Sequence, residues 1–296
     1  MEDALGEKLI ITVAPLGNVQ GKKENPAIPY TPAEIAEAVY ESWNEGASVA
    51  HIHCRDARGV PTSDPVVYQE VHERIRAKNC DIILDHSTTG PTMDEGMRSL
   101  ETNPEIGTLT MGVSVILSKG KAMVLPRDRY WLEGQAREMG RRGIKPNLEV
   151  FNLPMMEEVE NLIEMGLLQK PYWISLIMGT HSWNQSGTSY SIRGLMHHID
   201  SLPKEALYCS VVQGEEHMRG IALSILLGGN CRSGFEDTLY FSPGRLAESN
   251  AQLIGRIRRV AKELGREAAS PEEARIILGL ASLDSSEDRH RTYSDG

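Results

Sequence analysis

Residues 31–54 read TPAEIAEAVYESWNEGASVAHIHC, and this stretch decides the fold. Thr31 is an N-cap residue, and Glu34 completes a capping box with it, so a helix is predicted over residues 31–46. The apolar run that follows predicts a strand over residues 48–54. A helix that leads directly into a nearly continuous apolar strand is typical of a parallel sheet buried on both faces.

The same unit recurs along the chain. Eight apolar, β-branched runs are predicted as strands, and each is followed by a segment of helical period. Eight such units in about 250 residues predict an α/β fold of the (β/α)8 TIM barrel class. The strands are predicted at residues 9–15, 48–54, 81–87, 106–112, 145–151, 172–179, 207–214 and 231–237. The helices are predicted at residues 31–46, 64–78, 94–101, 127–143, 155–166, 191–200, 215–229 and 244–265.

An open, doubly wound sheet is the alternative architecture. It would place a glycine-rich phosphate loop after an early strand, but APLGNVQG at residues 14–21 is not a G-x-G-x-x-G sequence, so the barrel is favoured. No linker divides the chain, and a single domain is predicted over residues 1–285. It ends in a helical extension that begins with a capping box of Ser270 and Glu273. Residues 286–296 are polar and are predicted to be disordered.

The composition restricts the partners and the compartment. A formal charge of −10 over 296 residues opposes binding to nucleic acid or to anionic membranes, so neither is expected as a partner. The four cysteines are scattered without a C-x-x-C pair, which is typical of a reduced, cytoplasmic protein. The N-terminus is acidic where a secretory signal would be basic, and the apolar run at residues 220–229 is shorter than a membrane span.

Polar side chains gather at the carboxyl ends of the predicted strands, where barrel enzymes carry their active sites. His51 and His53 have the period-2 spacing that places both rings on one face of a strand, as in half of a zinc site. Glu236 and Asp237, which end the last strand, supply acids for a third ligand, and Arg232 lies near them. The alternatives are histidines satisfied by buried carbonyls and a solvated acidic turn with an arginine counter-ion. The last strand is also expected to lie far from the second strand around the ring.

Weaker candidates lie at other strand ends. Ser87 and Thr88 could hold a carboxylate or simply form a turn, and Gly112 ends the fourth strand. Glu149 is predicted to point inward from an apolar strand, where it needs a partner. The remaining histidines are expected to be incidental, with His86, His181 and His217 in loops or helices and His197 and His198 facing solvent.

Several motifs together resemble the β-keto acid cleavage enzymes, whose type member is the 3-keto-5-aminohexanoate cleavage enzyme. The similarity runs over about residues 8–281, and the H-x-H-x-R-D and G-F-E-D motifs are its most specific parts. The matching stretches are IITVAPLGN, NPAIPYTPAEIAEAV, VAHIHCRDARGVPTSDP, STTG, LEVFN, RSGFED and the helical segment from AESNAQ to IILGL. The resemblance implies a zinc-dependent barrel, usually a homotetramer, that transfers the acyl part of a β-keto acid to the CoA of acetyl-CoA and releases acetoacetate.

The resemblance also implies roles for individual residues. His51, His53 and Glu236 would bind Zn²⁺, and Asp237 would remove a proton from C2 of the keto acid. Arg232 would orient Asp237, while Ser87 and Glu149 would contact the substrate; Thr88 and Gly112 are expected beside them. A zinc chelated by the keto acid would polarise its keto oxygen, and no protein nucleophile is required.

The chain departs from the type member at positions expected in the pocket wall. Asn18 stands near the place of a glutamate suited to a substrate ammonium, so a β-keto acid without an amino group is expected. A loop at residues 180–189, rich in Trp, Asn and Gln, supports the same interpretation. The other departures are Thr110, Val113, Asn230 and Thr238.

Two other functions are considered. A metal-dependent hydrolase on the same barrel would use the zinc to activate water. Such barrels usually carry further His or Lys ligands on late strands, and here those strands offer only Glu236 and Asp237. A non-enzymatic sensor of a keto acid or acyl-CoA would be expected to have lost part of the ligand or base set, which is intact.

Overall fold

The computed structural model describes residues 8–90, 92–118 and 120–282. Within them, eight parallel strands close into a barrel in chain order, which confirms the predicted TIM barrel. The strands are β1 (Ile11–Val13), β2 (Val49–Ile52), β3 (Cys54–Arg55), β4 (Pro61–Thr62), β5 (Ile83–His86), β6 (Ile106–Thr110), β7 (Ser114–Ser118), β8 (Lys121–Leu125), β9 (Lys145–Val150), β10 (Tyr172–Met178), β11 (Ala206–Val212), β12 (Asn230–Ser233), β13 (Tyr240–Ser242) and β14 (Arg245–Leu246). The barrel itself consists of β1, β2, β5, β6, β9, β10, β11 and β12.

The helices follow the strands and pack their apolar faces against them. Ile35 and Val39 of the first helix, for example, are fully buried in one core cluster with Val13 and Ile52 of the barrel. The capping box of Thr31 and Glu34 forms as predicted. The helices are α1 (Pro32–Asn44), α2 (Pro65–Arg76), α3 (Met93–Met97), α4 (Arg129–Arg142), α5 (Leu153–Glu164), α6 (Ile192–Asp200), α7 (His217–Leu226), α8 (Asn250–Glu263) and α9 (Pro271–Leu278). None of the helices in the described ranges is both long and apolar enough to span a membrane.

The predicted last strand, residues 231–237, is too long. Strand β12 ends at Ser233 because Gly234 adopts φ +151°, and a Cβ atom there would collide with the carbonyl group of Ala14. Glu236 and Asp237 therefore lie in the turn after the strand. Both can face the same site, because the strict alternation of strand side chains no longer applies.

Three other segments also differ from the prediction. The helix predicted at residues 244–265 begins only at Asn250, because a short β13–β14 hairpin turning at Gly244 precedes it. The segment 94–101 divides into α3 and a 3₁₀ helix, Arg98–Thr102. An antiparallel hairpin, β7–β8, follows β6 and was not predicted. This hairpin becomes important for the site because it forms one wall of the cavity.

The C-terminal helix α9 closes the end of the barrel opposite to the site. Its Arg275 donates to Glu105, just before β6, and to the carbonyl group of Asp81, just before β5. Its capping box of Ser270 and Glu273 is present as predicted. The predicted tail, residues 286–296, lies outside the described residues.

Candidate metal centre and adjoining cavity

His51, His53 and Glu236 meet at the carboxyl end of the barrel strands. Oε2 of Glu236 lies 3.6 Å from Nε2 of His51 and 3.6 Å from Nε2 of His53. The expectation that the last strand lies far from the second strand is wrong. Strand β1 pairs with both β2 and β12 when the barrel closes, so only one strand separates the histidines from the acid.

The three side chains fit a divalent metal such as Zn²⁺. Oε2 of Glu236 is buried and has no hydrogen-bond partner among the described residues, although two imidazole nitrogens face it. Tetrahedral ligands at about 2.0–2.2 Å from an ion lie roughly 3.3–3.6 Å from one another, which matches the spacing observed. Nitrogen and carboxylate oxygen are ligands that zinc accepts. The group is therefore a possible metal site with one ligand atom from each residue.

The Glu236 carboxyl is held in its ionised form. Burial alone would raise its pKa, but the charge of Arg232 and the two imidazoles outweigh burial and keep the pKa well below its usual range. For His51, burial alone would lower the pKa, but the carboxylates of Glu236 and Asp85 raise it. The cluster thus places a permanent negative charge where a cation would bind.

A chain of buried hydrogen bonds orients His51. Nδ1 of His51 lies 3.2 Å from Oδ2 of Asp85, the same oxygen accepts from Asn147 Nδ2 at 2.8 Å, and Ser175 Oγ donates to Asn147 Oδ1 at 2.7 Å. A carboxylate behind a histidine fixes the ring and leaves Nε2 free as a ligand. None of these three partners was predicted, although Asp85 could have been found as an acid inside the apolar strand DIILDHS.

His53 is oriented by Asn18, whose Oδ1 lies 3.1 Å from the Nδ1 of His53. Because a side-chain carbonyl can only accept, Nδ1 of His53 carries the proton and Nε2 faces the metal centre. Asn18, which is predicted to stand near the place of a glutamate in the type member, thus contacts a candidate ligand and also lines the cavity.

Arg55, the arginine of the H-x-H-x-R-D motif, holds the loop that carries Asn18. The guanidinium group is buried, and its Nη2 donates to the carbonyl groups of Gly17 at 2.6 Å and Gln20 at 2.7 Å. Nη1 donates to the carbonyl group of Gly59, and the group lies over the ring of Tyr30. The motif therefore joins two candidate ligands to the residue that anchors the neighbouring loop.

Arg232 and Asp237 form a buried, two-pronged ion pair beside the metal centre. Nε of Arg232 donates to Oδ2 of Asp237 at 3.0 Å, and Nη2 donates to Oδ1 at 2.7 Å. Nη2 also donates to Oε1 of Glu236 at 3.1 Å. Burial alone would lower the pKa of Arg232, but the two carboxylates raise it well above its usual value. Arg232 lines the cavity, whereas the Asp237 side chain is fully buried next to it.

A cavity of about 180 Å³ opens beside the metal centre, with His53 and Glu236 in its wall. One water needs only about 10–15 Å³ on this measure, so the cavity is large enough for an organic ligand. Glu149 lies in the same wall, and Thr110 Oγ1 donates to its Oε2 at 2.7 Å. Ser87 also lines the cavity, with its hydroxyl 2.7 Å from that of Thr89.

Thr88 and Gly112 do not line this cavity. The Thr88 hydroxyl donates to the carbonyl group of Thr108 and accepts from Gln135, so it joins β6 to α4. Gly112 packs against Met155 of α5, where an added Cβ atom would lie 3.2 Å from Cγ. The neighbouring Thr89, rather than Thr88, reaches the cavity.

A profile of the beta-keto acid cleavage enzymes matches residues 8–280 of the chain. The chain belongs to this family. It is 36% identical to the 3-keto-5-aminohexanoate cleavage enzyme of Fusobacterium nucleatum over 93% of this chain and 98% of that protein. It is 30% identical to the 3-oxoadipate:acetyl-CoA acetyltransferase of Cupriavidus necator, covering 93% of this chain and 96% of that one. The resemblance inferred from the sequence motifs is thereby confirmed.

Solved structures agree with the barrel. The complex of ObcA with oxaloacetate superposes with a TM-score of 0.72 at 19% identity, covering 87% of this chain and 68% of that one.

A further family relative, the 3-dehydrocarnitine:acetyl-CoA trimethylamine transferase of Rhizobium meliloti, is 30% identical over 94% of this chain and 98% of that protein. The named family relatives do not favour the metal-dependent hydrolase as an interpretation of this chain.

Only some of the predicted departures from the family's type member lie in the cavity. Asn18 and Thr110 line it, as do Trp183 and Asn184 of the loop 180–189. The others lie elsewhere: Val113 is exposed to solvent, Asn230 bonds to the backbone of Ile10 and Tyr208 inside the barrel, and Thr238 bonds to Tyr240.

Several of the remaining histidines are buried and hydrogen-bonded, whereas they were expected to be incidental. His86 is buried at the end of β5, where it bonds to the carbonyl group of Ser99 and to His72, and burial lowers its pKa to about 4. His217 bridges the carbonyl group of Val212 and the hydroxyl of Ser233. The expectation that His198 faces solvent is wrong, because its side chain lies on the buried face of α6 and its Nδ1 bonds to the carbonyl group of Gly194. His181 is exposed in its loop.

Proposed function

We propose that this protein transfers the acyl part of a β-keto acid to the CoA of acetyl-CoA and releases acetoacetate, with Zn²⁺ as its metal. The observation that carries the proposal is Oε2 of Glu236, which faces His51 and His53 without a hydrogen-bond partner among the described residues, beside the Arg232–Asp237 pair. The family membership supports the same reaction class.

His51, His53 and Glu236 would hold the ion. A bound Zn²⁺ supplies Lewis-acid polarisation of the substrate's keto oxygen, which acidifies the protons on C2. The buried chain behind His51 and the contact of Asn18 with His53 keep both Nε2 atoms directed at the ion. The open side of the cluster faces the cavity, where the keto acid would lie.

Asp237 is the proposed base. It takes a proton from C2 of the keto acid, and the resulting carbanion forms a bond to the acetyl carbon of acetyl-CoA as the carbon–sulfur bond breaks. The CoA thiolate then bonds to C3 as the C2–C3 bond breaks, which leaves acetoacetate after the proton returns to C2. The two-pronged ion pair with Arg232 fixes the Asp237 carboxylate beside the cavity, and Gln213, which lines the cavity, donates to its Oδ1.

Glu149 is the second candidate base because its carboxylate already lines the cavity. In the proposal it holds the substrate instead, together with the Ser87 hydroxyl, while Thr110 fixes its orientation. Exchange of the C2 hydrogen for deuterium, measured without acetyl-CoA, separates the two roles. Asp237→Asn is expected to abolish enzyme-catalysed exchange, and Glu149→Gln to weaken keto acid binding while exchange remains detectable.

The function is tested with zinc-loaded protein, acetyl-CoA and a panel of β-keto acids. We expect acetoacetate and the matching acyl-CoA in equal amounts, and loss of both bound metal and activity in Glu236→Gln. Glu248→Gln is the control, since Glu248 is exposed and bonds to its chain neighbours Arg245 and Gln252 on the surface. Full activity after chelation, or no acetoacetate from any acid with metal bound, would overturn the proposal. The proposed homotetramer is checked on the same samples by light scattering.

A further inference from the structure

One wall of the cavity carries three buried polar side chains that lack a partner. Ser114 Oγ, Arg127 Nε and Asn184 Nδ2 have no hydrogen-bond partner among the described residues. Their residues are 2%, 4% and 0% exposed, and all three line the cavity. The other side of the Asn184 amide accepts from the backbone N–H of Ser186, which leaves its NH₂ group as the unused donor.

The three residues lie on neighbouring segments of one wall: Ser114 begins β7, Arg127 follows β8, and Asn184 lies in the loop 180–189. Ser114 of β7 is opposite Leu125 of β8, and Arg127 follows two residues later. Ile116, two residues after Ser114 and on the same face of the hairpin, forms a β-bridge with Asn184. The guanidinium, amide and hydroxyl donors therefore belong to one patch, which we call the hairpin wall.

A buried guanidinium without a counter-ion is costly, and free proteins normally avoid it. No carboxylate within the described ranges lies within 4 Å of the Arg127 nitrogens, and its Cζ lies over the Trp131 ring, 5.8 Å from the ring centroid. Burial lowers the pKa of Arg127, while the charge of Glu149 acts in the opposite direction. Three donors line the same cavity, and one of them is a planar guanidinium fork, the group best suited to binding a carboxylate.

The hairpin wall and the metal centre share the cavity. Glu149, Arg127 of the hairpin wall and Arg232 beside the metal centre all line it, and the charge of Glu149 acts to raise the pKa of both arginines. A ligand whose reacting end is at His53 and Glu236 would direct its other end along this cavity.

Building on the proposed function, we infer that the hairpin wall binds a second anionic group, a carboxylate at the far end of the acyl part of the substrate. The substrate is then a β-keto dicarboxylate, in which Arg127 pairs with the distal carboxylate while Ser114 and Asn184 donate to it. A phosphate group of CoA carries the same anionic chemistry and is the competing occupant.

The test compares two keto acids of equal chain length, 3-oxoadipate with a distal carboxylate and 3-oxohexanoate without one. With zinc-loaded protein and acetyl-CoA, we expect kcat/KM to be higher for 3-oxoadipate by about 100-fold or more. Arg127→Gln should remove most of this preference while leaving 3-oxohexanoate and the KM for acetyl-CoA almost unchanged. Arg129→Gln is the matched control, because Arg129 is exposed and pairs with Glu158.

Other outcomes have distinct meanings. If Arg127→Gln raises the KM for acetyl-CoA and slows both acids equally, the guanidinium serves CoA and the inference is overturned. Preference of the wild type for 3-oxohexanoate would overturn it as well. Calorimetry measures binding of 3-oxoadipate without turnover. We expect binding to be lost in Arg127→Gln and Asn184→Ala and retained in Arg129→Gln. Binding of this kind without acetoacetate would refute the proposed function and not the carboxylate site.

Discussion

Gly17 lies directly against the side chain of Glu236: a Cβ atom placed on Gly17 would be 2.6 Å from Cγ of Glu236. Gly17→Ala should therefore push the glutamate away from His51 and His53. We expect zinc affinity to fall by about 10- to 100-fold, measured by competition with a chelator, while the circular dichroism spectrum stays unchanged. Gly140→Ala, at a helical position with open space around it, is the control. Equal zinc affinity in both variants would contradict this account.

Asp85→Asn tests whether the charge behind His51 supports the metal. The asparagine carbonyl can still accept from His51 and Asn147, so the variant removes the negative charge with little change of shape. We expect zinc affinity to decrease by about 10- to 100-fold.

Asp81→Asn is the matched control for this change. Asp81 lies before the start of the same strand, at the end away from the metal centre, and accepts a hydrogen bond from Trp43. The role assigned to Asp85 is wrong if both variants bind zinc as the wild type does.

Arg55→Lys tests the anchor of the loop that carries Asn18. A lysine ammonium cannot reproduce the fork that holds the carbonyl groups of Gly17, Gln20 and Gly59 together. We expect kcat/KM for the keto acid to fall by about 10- to 100-fold, because the loop loses its position beside the cavity. Arg58→Lys, an exposed neighbour paired with Asp56, should leave kcat/KM unchanged. A similar loss in both variants would argue against a positioning role.

Lys145 predicts a specific pH dependence of stability. Burial lowers its pKa from 10.5 to about 8 in the folded protein. Between these values the unfolded chain holds a proton that the folded chain has released, so the contribution of Lys145 to stability rises with pH across this window. Below pH 8, Lys145→Met should be more stable than the wild type by about 1–3 kcal/mol, and the difference should shrink toward pH 10.5.

Denaturant unfolding at several pH values measures this difference. Lys204→Met, at an exposed position, serves as the control and should follow the wild type throughout. A constant difference between Lys145→Met and the wild type from pH 7 to 10.5 would show that the Lys145 proton is not the cause.

The prediction of the barrel from sequence succeeded because its signals are local. Each buried strand is a short apolar run, and each helix begins at a capping residue such as Thr31 or Ser270, whose bonds reach only a few residues along the chain. The shared orientation of His51 and His53 is likewise a local property, because it follows from the period of one strand. The errors occurred where a backbone turn interrupts a pattern, as Gly234 does after β12.

The sequence alone therefore determined the repeated strand–helix unit, the pair of histidines and the family motifs. Only the tertiary structure decided which groups meet. Barrel closure through β1 brings Glu236 to the histidines, and strand register aligns Asp85 with His51 across β2 and β5. The β7–β8 hairpin likewise brings Arg127 to the cavity wall. These contacts join residues far apart in the chain, and their formation depends on register, closure and packing, which a local pattern of side chains does not specify.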